Sequence, residues 1–231
     1  MNDWAANRLL SSLSGTDAAK LIPFLRTVTF EQGQVLNEPG DEIDLIYFPH
    51  RGMISLLAVM RDGKAIETAT VGREGVAGAM AGLGLHRTST RAVVQLPLTA
   101  SVITAVAFRK AVEASAALRD LIIRYNESLL NQVQITAACN ALHPIQARLA
   151  RWILQTRDHL DDDLIPLTQE LLSEMLGVRR SSISEVASKL QAAGLIRYRR
   201  GAVEIVNRPG LEAAACECYG LIKSRLPLTR P

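Results

Sequence analysis

Two kinds of hydrophobic spacing alternate along the chain and divide it into regions. Over residues 1–26, apolar side chains recur at intervals of three and four, which predicts amphipathic helix. Residues 27–110 instead contain short β-branched runs, separated by turns with glycine at 38–41, 50–52 and 61–64. Strands and turns at this regular spacing predict an antiparallel β-roll of the jelly-roll kind.

A helical pattern without interruption follows the roll, from about residue 108 to residue 142. Pro144 ends it, because a proline ring clashes with the preceding helical turn and restricts the residue before it. At 1.5 Å per residue, a helix of ~35 residues spans ~50 Å. That length is typical of a spine between domains or of a coiled-coil seam.

Two apolar stripes run along this helix. The first has the 4-3-4 spacing that a seam between two helices requires, so it predicts a homodimer. Its residues are Leu118, Ile122, Tyr125 and Leu129. The second stripe then packs against the roll; it consists of Leu121, Leu130, Val133 and Ala137. The alternative is that the first stripe itself packs against the roll.

Residues 167–196 have the pattern of a helix-turn-helix. Apolar side chains at helical spacing give each of two helices a buried face. These positions are Leu171, Leu172 and Met175 in the first helix, and Ile183, Val186 and Leu190 in the second. Gly177 lies between the helices, where a tight turn with positive φ costs glycine little, and Gly194 closes the second helix.

Two short strands around a basic turn at Gly201 follow, and they have the form of a wing. Between residues 177 and 201 there are six lysines or arginines and one acid, a local balance of +5, whereas the whole chain has a net charge of +3. Positive charge is therefore concentrated on the segment that faces phosphate in a winged helix. The pattern predicts duplex DNA as a partner, with the second helix in the major groove.

Composition agrees with a globular DNA-binding protein. The 231 residues suffice for one large or two modest domains, 48% of them are hydrophobic, and the pI is about 8.9. No run of ~20 apolar residues predicts a membrane span, and the first residues lack the apolar core of a signal peptide. Three cysteines are too few for a disulfide framework and suit a reducing compartment. We therefore expect a cytoplasmic protein.

The sequence contains no nucleophile–base pairing, metal motif or phosphate-binding loop, so no enzymatic activity is expected. An iron–sulfur cluster needs about four cysteine ligands, and none precedes Cys139. His50 and His86 fall in predicted loops and do not indicate a haem site.

The pair Cys216-x-Cys218 offers metal binding or oxidant sensing as alternatives to packing. A last helix is predicted over residues 209–222, and a helix would point the two sulfurs in different directions. Packing is therefore the favoured interpretation, His143 is interpreted as a hinge residue beside Pro144, and no metal site is expected. The acidic run at 161–163 is interpreted as a solvated linker.

Taken in order, the roll, a glycine-rich stretch at 71–84, the long helix and the winged helix resemble the Crp/Fnr family of bacterial transcription regulators. The most specific residues are Gly40-Asp41, Tyr47-Phe48 and Gly52 in the roll, together with residues 167–196. The resemblance implies an α+β fold. It has a cyclic-nucleotide-binding-like sensor at 1–110, a dimerisation helix at 111–143 and a winged helix-turn-helix at 144–231. It also implies a homodimer on a two-fold DNA site and RNA polymerase as a further partner.

The resemblance also assigns roles to residues of the DNA-binding region. Arg180, Ser181 and Glu185 occupy the base-reading positions, where arginine can bind guanine and glutamate can accept from a cytosine amine. Many family members have arginine where Glu185 stands, so the best-known half-sites of the family are not expected. The residues expected to contact phosphate are Thr168, Gln169, Arg179, Ser182, Arg197, Arg199 and Arg200.

The sensor departs from the nucleotide-binding members of the family. Those have a Gly-Glu pair at the start of the phosphate cassette and an Arg-Ser pair later, whereas this chain has Gly78-Ala79 and Arg91-Ala92, with the arginine displaced by one residue. In a strand, that displacement turns the side chain to the opposite face. Cyclic AMP is thus disfavoured and the effector stays open. Gly72, Gly78, Ala79, Thr90 and Arg91 are candidates to line a pocket; the alternative is that the glycines of 72–84 serve turns and close packing. The alternative function is a nucleotide- or metabolite-sensing module that acts on a protein partner.

Overall fold

The computed structural model describes residues 3–160, 162–199 and 201–224, and they group into two units. The first unit contains the described residues up to Ala58 and those from Ala69 to Asn131. The second contains residues Val59–Thr68 and the described residues from Gln132 onward.

Short helical segments replace the amphipathic helix predicted for the first residues. Side-chain caps divide this region: the Asn7 side-chain carbonyl accepts from the Leu10 N–H, and the Ser14 hydroxyl accepts from the Asp17 N–H. The Asn7 amide also donates to the backbone of Pro49 and Gly75, at 2.9 Å each. The segments are two 3-10 helices at Asp3–Ala6 and Ile22–Phe24, and α-helices α1 at Arg8–Ser11 and α2 at Gly15–Ala18.

The predicted β-roll is confirmed as one antiparallel sheet in the first five strands. They are β1 (Arg26–Phe30), β2 (Val35–Asn37), β3 (Leu45–Val59), β4 (Ala65–Val71) and β5 (Arg91–Thr104). The order is β1-β5-β3-β4, with β2 also paired to β5. The turn predicted at 50–52 is wrong, because β3 continues through it. Gly52 has φ +85° there, and a side chain would collide with the Pro97 carbonyl, so the glycine permits an irregularity without ending the strand.

The long helix is interrupted where a continuous one was predicted. Helix α3 covers Ala105–Glu113 and α4 covers Ala116–Leu142. The Ser115 hydroxyl accepts from the Leu118 N–H at 3.1 Å and donates to the Asp17 carboxylate at 2.6 Å. Ser115 thus caps a new helix and ties its start to α2. The predicted end is confirmed, since α4 stops two residues before Pro144.

The first stripe of α4 lies in the core and not on the surface, and the second is divided, because Leu121 is buried against the roll as predicted whereas Leu130 is not. Leu118, Ile122 and Tyr125, predicted to form the dimer seam, are buried in a core cluster with roll residues, and Leu129 packs against that cluster. Leu130, predicted to pack on the roll, is 56% exposed. The 4-3-4 spacing of the first stripe suits a helix face packed in a core as well as a coiled-coil seam, so the spacing could not decide whether the roll covers it.

The second unit contains the winged helix. Its helices are α5 (Ile145–Leu160), α6 (Gln169–Leu176), α7 (Arg180–Ala192), α8 (Arg208–Ala214) and α9 (Cys218–Ser224). Its strands are β6 (Leu164–Ile165), β7 (Ile196–Arg199) and β8 (Ala202–Ile205), in the order β6-β8-β7. The single helix predicted at 209–222 is wrong, because residues 215–217 separate α8 from α9.

Candidate nucleic-acid interface

The turn between α6 and α7 has the geometry that the sequence predicts. Thr168 caps α6, with its hydroxyl accepting from the Leu171 N–H at 3.1 Å. Gly177 ends that helix with φ +62°, and the Val178 N–H returns to the Ser173 carbonyl at 3.0 Å. Because glycine adopts positive φ without steric cost, the chain reverses here within three residues.

The buried faces of the two helices are confirmed at five of the six predicted positions, while Leu171 is half-buried. The buried residues are Leu172, Met175, Ile183, Val186 and Leu190. A polar contact also joins the helices, since the Ser184 hydroxyl donates to Gln169 Oε1 at 2.8 Å. That contact orients the Gln169 amide at the start of α6, with Oε1 as the acceptor and the NH₂ group as its remaining hydrogen-bond donor.

The three candidate base-reading side chains lie together on the first turns of α7. Arg180, Ser181 and Glu185 are all exposed, and positions 181 and 185 are one helical turn apart. Arg180 Nη1 lies 3.7 Å from Glu170 Oε2, and the Arg180 side chain is 68% exposed. Lys189 Nζ donates to Glu185 Oε1 at 2.7 Å, and this hydrogen bond lowers the pKa of Glu185. The glutamate is thus ionised at neutral pH and can only accept hydrogen bonds.

The wing stands beside α7 and is fixed to it through Tyr198. The Tyr198 N–H donates to Gln191 Oε1 at 2.7 Å, and the Tyr198 hydroxyl donates to the Leu167 carbonyl at 3.3 Å. Burial raises the pKa of Tyr198, so the hydroxyl keeps its proton. These two contacts hold β7 against both α7 and the segment before α6.

Glu204 organises the cations of the wing, a role that sequence reasoning missed. Its Oε2 atom lies 3.0 Å from Arg197 Nη1 and 3.0 Å from Arg199 Nη2. The two arginines are more than half exposed, and exposed ion pairs contribute only ~0–1 kcal/mol. They can therefore exchange the carboxylate for a phosphate at little cost. Arg200, the third predicted cation of the wing, lies outside the described residues.

The candidate pocket residues of the roll are occupied with partners of their own. Arg91 Nε lies 3.0 Å from each carboxylate oxygen of Glu38. Its neighbour Ala92 is in the apolar core, so Arg91 faces the other side of the strand, as its displacement predicts. The Thr90 N–H donates to the Thr88 hydroxyl at 3.2 Å.

The remaining candidates, in the glycine-rich stretch, pack closely. The Gly72 N–H donates to Glu74 Oε1 at 2.9 Å, and Ala79 is buried. A side chain at Gly78 would lie 3.1 Å from the Leu45 carbonyl oxygen, so this glycine serves close packing. A cleft of about 480 Å³ lies elsewhere in the first unit, and none of the five candidates lines it.

Tyr125 of α4 fills the space beside this stretch. A Cβ on Gly75 would collide with the Tyr125 ring, and Tyr125 is 4% exposed. Burial, followed by the charge of Glu74, raises the pKa of Tyr125. A buried neutral phenol thus packs against the stretch whose glycines were candidates either to line a pocket or to serve close packing.

Cys216 and Cys218, which the sequence assigned to packing, form one cluster in the second unit with His143, the predicted hinge residue, and with Cys139. The donor atoms of Cys139, His143, Cys216 and Cys218 all lie within 4.8 Å of one another. The prediction that the two sulfurs of Cys216-x-Cys218 diverge is wrong, because Cys216 lies in the break before α9 and not within a helix. Besides the Cys216-x-Cys218 pair, the four-residue spacing of Cys139 and His143 is a sequence signal for the cluster, since it puts both side chains on one helical face.

The four side chains of the cluster are in hydrogen-bond contact with one another. Cys139 Sγ lies 3.5 Å from Cys216 Sγ, and Cys218 Sγ lies 3.6 Å from His143 Nδ1. Hydrogen bonding from Cys216 lowers the pKa of the Cys139 thiol to about 4, and the same bond raises the pKa of Cys216. Hydrogen bonding to Cys139 also raises the pKa of His143. The three cysteines are free thiols in a buried site.

Two domain families match the chain. The Crp-like helix-turn-helix domain matches residues 147–214, and the cyclic nucleotide-binding domain matches residues 27–115; together they cover more than half of the sequence. A search of curated proteins by sequence finds no match.

Solved structures share the fold at low identity. FixK2 from Bradyrhizobium japonicum has a TM-score of 0.71 at 13% identity, over 83% of this chain and 98% of its own. The c-di-GMP-responsive global regulator CLP of Xanthomonas campestris has a TM-score of 0.66 at 16% identity, over 83% of this chain and 99% of its own. TTHA1359, a CRP/FNR-family transcriptional regulator from Thermus thermophilus, has a TM-score of 0.67 at 21% identity, over 82% of this chain and 98% of its own.

Within residues 3–160, 162–199 and 201–224, no helix has the length and apolarity needed to cross a membrane.

The exposed polar face of α7, the wing beside it and the two domain matches agree with one another. The protein therefore belongs to the Crp/Fnr family of DNA-binding transcription regulators.

Proposed function

We propose that the protein binds a two-fold symmetric operator as a homodimer, with α7 of each copy in a major groove. The observation that carries this proposal is the exposed face at the start of α7, formed by Arg180, Ser181 and Glu185. Arginine can donate to O6 and N7 of one guanine, and an ionised glutamate can accept from a cytosine N4 amine. Each half-site therefore contains a guanine read by Arg180 and a cytosine read by Glu185.

Phosphate contacts fix the register of this reading. Thr168 and Gln169 stand at the start of α6, where backbone N–H groups and the helix dipole favour an anion. Arg179 and Ser182 on α7 and the wing residues Arg197, Arg199 and Arg200 supply the remaining contacts. Such contacts add affinity for every sequence and make it depend on salt.

The dimer forms through the exposed stripe of α4. Ile123 and Leu130 are seven residues apart and are 50% and 56% exposed, and Val133 and Ala137 continue the stripe at intervals of three and four. This is the spacing of a coiled-coil seam, and Asn126 sits within it as a polar position that fixes register. In the dimer, the predicted seam of Leu118, Ile122, Tyr125 and Leu129 stays in the core of each chain.

The protein acts in the cytoplasm, where the roll controls DNA binding and RNA polymerase is the partner. Control through the roll requires that a signal bind one of two states of the dimer more tightly than the other. DNA affinity that no nucleotide, metabolite or redox agent alters would contradict this control. The protein would then be regulated by its amount.

Selection of binding sites from random duplexes by the purified protein tests the proposal. We expect a symmetric consensus with half-sites one helical turn apart, ~34 Å, and a G·C pair in each half-site that Arg180→Ala no longer selects. Absence of any consensus, together with salt-independent failure to bind duplex, would instead favour a module that acts on a protein partner.

A further inference from the structure

We propose that Cys139, His143, Cys216 and Cys218 bind one zinc ion, which joins the last turn of α4 to the start of α9. The four donor atoms lie within 4.8 Å of one another, and they come from two segments more than 70 residues apart in sequence. Three sulfurs and one imidazole nitrogen form a donor set of closed structural zinc sites.

The spacing of the donors fits a tetrahedral ion. With Zn–S bonds of ~2.3 Å and Zn–N bonds of ~2.0–2.1 Å, neighbouring donors in a tetrahedron are about 3.5–3.8 Å apart. The Cys139–Cys216 sulfurs are 3.5 Å apart, and Cys218 Sγ lies 3.6 Å from His143 Nδ1. A disulfide would need an S–S distance of ~2.05 Å, much shorter than the one observed.

The local backbone explains how four donors converge. His143 follows Cys139 by four residues, and its N–H donates to the Cys139 carbonyl at 3.1 Å, so the α-helical turn continues through it. The break at residues 215–217 lets Cys216 and Cys218 approach the same point. Magnesium and calcium prefer oxygen ligands, so this donor set selects a softer ion.

The histidine is oriented by a carboxylate, as metal-binding histidines usually are. His143 Nε2 lies 3.3 Å from Glu217 Oε2, on the side of the ring away from Cys218. An Nε2–H that donates to Glu217 leaves Nδ1 with its lone pair toward the sulfurs. This arrangement fixes the tautomer that can bind zinc.

Two buried arginines of α5 balance the charge of such a site. Three thiolates around Zn²⁺ leave a net charge of −1, and Arg148 and Arg151 are 6% and 3% exposed. Within the described chain, the Nε–H groups of both arginines lack a hydrogen-bond acceptor. A buried cation is costly unless an opposite charge accompanies it. An electrostatic interaction also links Arg151 to Cys139.

Arg148 also connects the cluster to the helix-turn-helix. Its Nη2 atom donates to Asn140 Oδ1 at 2.8 Å and to the Leu176 carbonyl at 2.6 Å. Asn140 follows Cys139, and Leu176 is the last residue of α6 before the Gly177 turn. Zinc therefore fixes the residues that hold this turn, and the junction at His143-Pro144 is a fixed point rather than a hinge.

Metal analysis of the full-length protein, purified under reducing conditions, tests the site without DNA. We expect about one zinc per chain, and X-ray absorption showing three sulfurs at ~2.3 Å and one nitrogen at ~2.0–2.1 Å. Cobalt substitution should give the visible absorption of a tetrahedral thiolate site. Absence of zinc after reconstitution, a shell of oxygen ligands, or a Cys139–Cys216 disulfide whose reduction restores no metal uptake would overturn the proposal.

Variants assign the ligands. C139S and C216S should lose the zinc, whereas H86A, which removes a histidine outside the cluster, should keep it. E217Q should bind zinc ~10–100-fold more weakly while keeping the tetrahedral cobalt spectrum. Full zinc content in C139S, or unchanged affinity in E217Q, would contradict the assignment. Because the wild-type spectra need no variant, a substitution that fails to fold leaves the test intact, and a negative result leaves the proposed DNA recognition standing.

Discussion

Arg180 in the second unit and Arg91 in the first are both arginines that the sequence offers as candidates to bind a ligand, but their present contacts differ. Arg180 is 68% exposed and has one contact of 3.7 Å with Glu170. Arg91 is 29% exposed and lies 3.0 Å from both oxygens of Glu38. Releasing Arg180 costs little, whereas releasing Arg91 breaks a close charge-assisted contact.

A similar contrast separates the start of α7 from the glycine-rich stretch of the first unit. At the start of α7 the neighbouring side chains are exposed, while beside the glycine-rich stretch Tyr125 and Ala79 are buried. The domain matches therefore establish a fold in both units, but the five pocket candidates of the first unit are held in contacts or close packing, whereas the polar side chains at the start of α7 are exposed. Substitutions in α4, α7, the wing and β5 test this difference.

The largest effect is expected where α4 packs against the roll. Leu118→Ala should lower the free energy of unfolding by ~2–5 kcal/mol, because it leaves a cavity at a residue that is 0% exposed. Urea unfolding at fixed protein concentration measures this loss.

Leu130 on the same helix should behave in the opposite way. Leu130→Glu should leave each chain folded but shift the dimer to monomers, which sedimentation can follow. The opposite result would be a monomeric Leu118→Ala variant and a Leu130→Glu variant that remains dimeric. It would show that the dimer seam is the stripe containing Leu118, as the sequence predicts.

Arg180→Ala should weaken binding to the selected operator by ~1–3 kcal/mol and relax selectivity at one base pair per half-site. Arg180→Lys should recover charge but not selectivity, because lysine lacks the planar fork of donors. Fluorescence anisotropy on operators with single base-pair changes provides the measurement. An equal loss on every duplex would exclude base reading by this residue.

Arg199→Ala should weaken binding to all duplexes alike. Removal of one phosphate contact should reduce the slope of log K against log salt by ~0.9. Arg26→Ala is the matched control, since Arg26 is an exposed arginine on β1 of the roll. A change of sequence preference in Arg199→Ala would mean that the wing reads bases.

The smallest effect is expected at Arg91. Arg91→Ala should cost less than ~1 kcal/mol of stability, as partly exposed ion pairs do. Calorimetric titration with cyclic AMP should give no binding signal in the wild type or in the variant. Wild-type binding that Arg91→Ala abolishes would show that the arginine leaves Glu38 for the nucleotide phosphate.

Local signals made the helix-turn-helix predictable. Gly177 needs its positive φ, Thr168 caps the helix that this glycine ends, and the apolar spacing of α7 repeats over three turns. The turn, the cap and the apolar spacing each depend on residues within a few positions of one another. The sequence alone was therefore enough to predict all three.

Tertiary packing decided the features that the sequence did not reveal. Ser115 interrupts the long helix, and its hydroxyl donates a hydrogen bond to Asp17, 98 residues away in sequence. The break at 215–217 contains neither glycine nor proline, and without it Cys216 would not reach Cys139. The stripe of α4 that faces the roll likewise depends on a surface formed by distant strands.

Two copies of α7 that read successive major grooves on one face of the duplex require a fixed distance between the half-sites. This requirement is tested most directly by inserting about five base pairs, half a helical turn, between the half-sites of the selected operator. We predict that tight binding of the dimer is lost with the half-turn insertion and largely returns when a full turn is inserted. Equal affinity for all three spacings would contradict paired reading by the two helices.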